Sequence, residues 1–208
     1  MTTTQTYSSD VGFTPAVKAV QTRKGSRDGY AHMEEGGGWR TEIDPALAAF
    51  VGEQTSFFLA TATADGQPYI QHRGGPAGFI KVLDKTTLAF ADYKGNRQYI
   101  TQGNLSENPK AYIFLIDYVN RRRIKIWGEA RVVEDDPALT AALMPKDYKA
   151  RPEQTILFKI KAWDSNCPQH IPLKFDAADV AAAVGARDAR IAELEAEVAS
   201  LKSRLSHS

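Results

Sequence analysis

From Ser56 onward the chain alternates apolar and polar positions with the period of two that marks strands with one buried face. The clearest instance is RIKIWGEARV, residues 123–132. Ile124, Ile126, Gly128, Ala130 and Val132 fall on one side, and Arg123, Lys125, Trp127, Glu129 and Arg131 on the other. TILFKIKAW (155–163) repeats the pattern, grouping Ile156, Phe158, Ile160 and Ala162. SFFLATATA (56–64) runs into Asp65-Gly66, a hairpin-turn pair, and QPYIQH (67–72) returns from it. Residues 79–82, 87–92 and 111–117 bring the inventory to about seven strands, mostly joined by short connections such as Asp84-Lys85. That inventory predicts a closed antiparallel β-barrel. Helical stretches at 96–104 and 137–144 interrupt it. Another helix precedes it, with Asp44 as N-cap, Pro45 at the first helical position, and Leu47, Phe50 and Val51 at helical spacing.

The flanks differ from this middle. Residues 1–43 are polar and weakly periodic, ending in GGGW, and predict an arm with one short helix. The barrel is expected over 44–175 and a separate amphipathic helix over 176–208. In that tail Ile191, Leu194, Val198, Leu201 and Leu205 step by 3, 4, 3 and 4, an a/d seam with Glu197 at g and Lys202 at e. Only about two heptads are strict, fewer than a coiled coil usually shows. The tail therefore reads equally as a helix pairing between parallel chains and as one lying on its own barrel. No internal repeat is present.

Composition narrows the picture. With 208 residues, 43% hydrophobic and 25% charged, the chain suits one globular domain with appendages. Lys and Arg number 26 against 25 Asp and Glu, so no overall field favours nucleic acid or an anionic membrane. A single cysteine, Cys167, allows no intrachain disulfide and points to a reducing compartment. The start, MTTTQTYSSDVGF, has no signal-peptide pattern, and no run approaches the roughly 20 apolar residues of a membrane span. A cytoplasmic protein is the expectation.

Candidate chemistry is sparse. His32, His72, His170 and His207 are scattered without ligand spacing, so no metal site is expected. There is no GxSxG, and Cys167, three residues before His170, reads as a small buried hydrophobe. An anion site has better support. HRGGPAGF (72–79) sets Arg73 beside Gly74, Gly75 and Gly78 at a strand end. The glycines serve either a tight bend or the close approach of an anionic ligand. A second basic element, FADYKGNRQYITQGNLSENP (90–109), ends a strand at Asp92 and turns through Lys94-Gly95. A helix is expected to start near Asn96-Arg97-Gln98, where free N–H groups and the helix dipole favour an anion. Neither GxxxxGKS/T nor GxGxxG occurs, which removes the P-loop and dinucleotide-binding alternatives.

Taken together, the strand ending in His-Arg-Gly-Gly, the stretch FADYKGNRQYITQGNLSENPKAYIFLI and the strand RIKIWGEARVVEDDP resemble the pyridoxamine 5'-phosphate oxidase-related flavoproteins. The resemblance covers residues 45–175. WDSNCPQHIPLKF (163–175) and GFTPAVKAVQTRKGSR (12–27) resemble the closing segment and N-terminal arm of the same group. It implies an antiparallel six- to seven-stranded FMN-binding split β-barrel, and a homodimer with FMN in the cleft between protomers. It assigns Arg73, Asn96, Arg97 and Gln98 to the FMN phosphate, Gln98 standing where the family has lysine. Gly74, Gly75 and Gly78 would lie against the isoalloxazine edge, and Trp127 and His170 would reach flavin from the partner subunit. The enzyme that names the family reads its substrate's phosphate with an arginine-rich closing segment; here that segment has only His170 and Lys174. The implied activity is an FMN-dependent oxidoreduction other than pyridoxamine phosphate oxidation, with no catalytic acid or base identified. The alternatives are a flavin-, F420- or haem-binding protein of the same fold without turnover, and a scaffold whose C-terminal helix is the functional part.

Overall fold

The computed structural model describes residues 6–206; residues 1–5 and 207–208, His207 among them, lie outside the described part. Seven strands form one antiparallel sheet: β1 (Ser56–Ala62), β2 (Pro68–Gly74), β3 (Lys81–Asp84), β4 (Thr87–Tyr93), β5 (Lys110–Asp117), β6 (Arg122–Val133) and β7 (Pro152–Ser165). Their order is β2-β1-β5-β6-β7-β4-β3. The hydrogen-bond ladder stops between β2 and β3, so the barrel is split rather than closed. Side chains close it instead. Phe57 of β1 meets Phe90 of β4 edge to face at 5.0 Å and stacks on Phe79 at 5.8 Å. The protein is an antiparallel seven-stranded split barrel with peripheral helices and a C-terminal helix.

The alternation read from the sequence sets the strand faces. Ile124, Ile126, Gly128 and Ala130 of β6 are buried while Glu129 and Arg131 are exposed. Ile156, Phe158, Ile160 and Ala162 of β7 are buried on the same principle. In the β1–β2 hairpin Gly66 takes φ +94° and donates its N–H to the Thr63 carbonyl, a conformation that favours glycine. The first α3 turn (Pro45–Glu53) is capped by Asp44, which accepts from the Leu47 N–H at 2.7 Å. Its Leu47, Phe50 and Val51 are fully buried in the barrel core.

Three expectations are corrected. The first concerns residues 1–43, of which residues 6–43 are described. They hold a 3-10 turn (Ser8–Val11) and two helices, α1 (Pro15–Lys24) and α2 (Arg27–Glu35), instead of one short helix. Glu34 is buried in this arm, where Lys18, Arg27 and the Ser9 hydroxyl compensate its charge. Trp39 stacks on Trp127 with centroids 4.4 Å apart, and Arg40 bridges to Trp163 of β7, tying the arm to the sheet. Secondly, the strand expected at 79–82 begins at Lys81, because Phe79 and Ile80 are buried core residues reached by a turn. Thirdly, Cys167 is exposed, following the end of β7 where no strand face covers it.

The chain divides into two compact units, residues up to Asp117 with Arg122–Pro168, and Tyr118–Arg121 with Gln169–Ser208. Within the second, Lys174 places its ammonium 4.1 Å from the Tyr118 ring centroid. α6 (Ala177–Ser206) is an unbroken helix of 30 residues. Among the described residues no helix is long and apolar enough to cross a membrane.

Gly128 sits where β6 and β7 approach closely. The β6–β7 register shifts between Trp127 and Gly128, and a Cβ at 128 would lie 2.3 Å from the Lys159 carbonyl oxygen and 2.5 Å from the Phe158 ring. Neither a ladder carbonyl nor a fully buried ring can yield cheaply. Gly128→Ala is expected to lower the unfolding free energy by about 1–3 kcal/mol, read from urea denaturation; an unchanged midpoint would contradict this packing.

Candidate functional site

Alternation on β2 places Tyr69, Gln71 and Arg73 on one face and Ile70 and His72 on the other. His72 packs edge-on against Phe58, 5.6 Å between centroids. The opposite face meets the end of β4, the connection after it and the start of β7. These elements enclose a cleft of about 60 Å³ whose walls include Arg73, Asp92, Asn96, Arg97, Gln98 and Gln154. Sequence-distant residues thus converge: the Arg73 element and the Lys94–Gln98 element face one space. The cleft shares Tyr99, Gln102, Glu153 and Gln154 with an open depression of about 830 Å³.

Arg73 is the cleft's most constrained cation. Its side chain is 12% exposed and pairs through Nη1 with Asp92, whose other oxygen accepts from the Gln154 amide at 2.9 Å. Asp92 and Gln154 sit opposite one another in the β4–β7 ladder, which fixes the carboxylate's direction. Burial lowers the Arg73 pKa to about 10, so the group stays cationic at neutral pH. Among the described residues no partner receives the buried Nε–H of Arg73, and the buried Tyr93 hydroxyl, on another residue of the cleft wall, is likewise unpaired. Burial raises the pKa of Tyr93.

The expected helix at 96–104 starts later, as α4 (Ile100–Glu107). Arg97 and Tyr99 take φ of +61° and +54°, left-handed values that stop a helix from propagating through them. Residues 96–99 form a turn in which Asn96 Oδ1 accepts from the Gln98 N–H at 3.2 Å, and Arg97 Nε donates to the Tyr99 hydroxyl at 2.8 Å. Such backbone strain concentrates at functional sites. α4 is held to the barrel by Thr101 donating to Gln71 and Asn104 donating to Thr61. Arg97 is solvent-exposed, with Glu153 at 3.8 Å. The cleft therefore carries two guanidinium groups and two carboxylates.

Other residues singled out in the sequence lie elsewhere. Gly74, Gly75 and Gly78 do not line this cleft. A Cβ at Gly75 would meet the Phe79 side chain at 2.7 Å, and Gly78 takes φ +79°, so local turn packing accounts for both. Trp127 does not line it either; Trp39 covers one ring face and Tyr112 meets its edge at 5.1 Å. His170 is exposed, has φ +61° and belongs to the second unit. An aromatic hollow beside Trp39 and Trp163 holds a charge already matched, Lys125 pairing with Asp164 at 3.0 Å. Sequence reading missed Asp92 as a partner, along with Glu153 and Gln154, since their convergence depends on β4 pairing with β7. Tyr69 and Gln71 were legible from the sequence, being four and two residues before Arg73 on one strand face.

A split barrel with a cation-bearing cleft at the joint of its strand ends defines the class, and the pyridoxamine 5'-phosphate oxidase family model matches residues 43–167. The chain belongs to the pyridoxamine 5'-phosphate oxidase family. No curated protein matches it. Its solved relatives in shape are distant. HupZ of Group A Streptococcus is 17% identical, with a TM-score of 0.49 over 64% of this chain and 99% of that one. An F420 reductase is 18% identical, with a TM-score of 0.43 over 59% and 98%. An FMN-binding protein from Syntrophomonas wolfei is 12% identical, with a TM-score of 0.45 over 70% and 97%.

Removing Asp92 leaves a buried guanidinium uncompensated. Asp92→Ala is expected to lower the unfolding free energy by about 3 kcal/mol, and Arg73→Ala combined with it to recover part of that loss. A loss within about 0.5 kcal/mol, the range of ordinary surface substitutions, would show that the pair does not support the fold.

Proposed function

We propose that the protein is an FMN-dependent oxidoreductase acting in the cytoplasm as a homodimer, with a nicotinamide or small organic molecule as electron donor. The observation that carries this reading is the convergence of Arg73, Asn96, Arg97 and Gln98 on one cleft, with the buried Nε–H of Arg73 unpaired among the described residues. These are the residues that the family resemblance assigns to the FMN phosphate, and they come from two elements that the sequence keeps apart. When bound, FMN would supply hydride transfer at its N5. Arg73 would donate Nε–H to a phosphate oxygen, its guanidinium held by Asp92, whose carboxylate Gln154 in turn fixes. The exposed Arg97 would add a second cationic donor, and the Asn96 turn would fix the backbone that presents it. A volume of about 60 Å³ suits a phosphate end alone, which is consistent with a ring accommodated outside it. The closing segment lacks arginine, so pyridoxamine phosphate is not the substrate proposed.

A second reading is a flavin-, F420- or haem-binding protein without turnover. It is favoured by the absence of histidine, cysteine and lysine among the described residues lining the cleft, so that proton donation there would fall to tyrosine hydroxyls such as that of Tyr93, whose pKa burial raises.

Arg73→Ala is expected to weaken FMN binding by about 1.5–3 kcal/mol in calorimetric titration, the range for a hydrogen bond to a charged group. Unchanged affinity would remove Arg73 from the phosphate site. Anaerobic mixing of the FMN-loaded protein with NADH, NADPH and a panel of organic donors separates the two readings. Bleaching of the flavin bands supports the oxidoreductase, and unreduced flavin with every donor supports the binding protein.

A further inference from the structure

The seam seen in the sequence between Ile191 and Leu205 belongs to a longer frame. α6 runs without a break from Ala177, so the same heptad register extends back through Val184 and Val180 to the first turn. The a positions are then Ala177, Val184, Ile191, Val198 and Leu205, and the d positions are Val180, Arg187, Leu194 and Leu201. None of the helix is buried, and the large apolar seam residues are 42% to 77% exposed. A 30-residue helix is about 45 Å long, enough for four heptads.

We propose that α6 forms a parallel, in-register two-stranded coiled coil with α6 of a second copy of this chain. Two independent features select this occupant. β-branched residues fill three of the a positions and leucine two of the d positions, the combination that favours parallel dimers. Charges at the flanking positions also match. In a parallel pair each g residue faces the partner's next e residue, so Arg190 meets the partner's Glu195 and Glu197 meets the partner's Lys202, opposite signs in both cases. Within one chain Arg190 binds Glu193 at 2.8 Å, an exposed pair that exchanges readily for the interchain one. Arg187 is the one charged core position. It weakens its own layer and, with Gly185 beside it, makes the first half of the coil the looser half. The two-fold axis of such a coil is that of a symmetric dimer.

The test uses the full chain carrying Cys167→Ser, with a single new cysteine at Ile191→Cys, Leu201→Cys or Ala196→Cys, under mild oxidation. Residues at identical a or d positions face each other in a parallel in-register coil, whereas position 196 points outward. The expected result is a covalent dimer from Ile191→Cys and from Leu201→Cys, with little from Ala196→Cys. No cross-link at the seam, equal cross-linking at all three sites, or cross-linking only when the Ile191→Cys and Leu201→Cys chains are mixed would overturn the proposal. The last pattern would indicate antiparallel helices. A charge exchange gives a second readout, the rate of disulfide formation at Ile191→Cys, which reports on α6 alone. Glu197→Lys is expected to slow it and Glu197→Lys with Lys202→Glu to restore it. No slowing, or no restoration, counts against the pairing. Because the cross-link reports on α6 itself, a dimer held by the barrel would not imitate it.

Discussion

Strands β2 and β4 are five places apart in the sheet, yet the Arg73–Asp92 pair joins them. No backbone ladder could do so, because the hydrogen-bonded order ends at β2 on one side and β3 on the other. The roll of the sheet is therefore secured where side chains cross the gap: the ion pair at the cleft and the Phe57–Phe90 contact beneath it. The pair sits near Phe90, whose ring centroid is 6.0 Å from the Arg73 guanidinium carbon. One arginine thus serves both the joint of the barrel and the cleft that the joint creates.

That dual role shapes the chemistry. A guanidinium offers five N–H donors in a planar fork, so binding Asp92 through one nitrogen leaves others to a ligand. Asp92 also offsets the charge advantage that a bare arginine would give a phosphate. In this account directed hydrogen bonding does more than net field, which is consistent with a chain whose overall charge is +1. The left-handed turn at Arg97 and Tyr99 belongs to the same arrangement: a strained backbone presents an exposed cation at the cleft while Arg73 is held inside by Asp92.

Much of the fold was legible because strand period, hairpin residues and the Asp44-Pro45 cap act locally. The inward face of RIKIWGEARV and the start of α3 needed no tertiary knowledge. Arg73 and the Asn96-Arg97-Gln98 element stood out as two basic, glycine-containing anion candidates, but only family resemblance put them at one phosphate, since nothing in composition says that residues 73 and 97 share a cleft. Asp92, Glu153 and Gln154 were illegible for a related reason. Their roles follow from β4 pairing with β7, a contact across more than 60 residues. Helix 96–104 was misplaced because ordinary residues there adopt positive φ, which propensity does not foresee. The arm looked featureless because its order comes from Trp39 on Trp127 and from a buried Glu34, not from periodicity.

The proposed phosphate site has Arg73 donating its unpaired Nε–H to the phosphate while Asp92 holds Arg73. Arginine side-chain Nε–H resonances in a proton–nitrogen NMR spectrum, assigned with Arg73→Lys, report on that atom directly. The Arg73 signal is expected to shift on adding FMN and to stay in place with riboflavin, which lacks the phosphate. An Arg73 signal that is unmoved by FMN, or that moves equally with riboflavin, would contradict it.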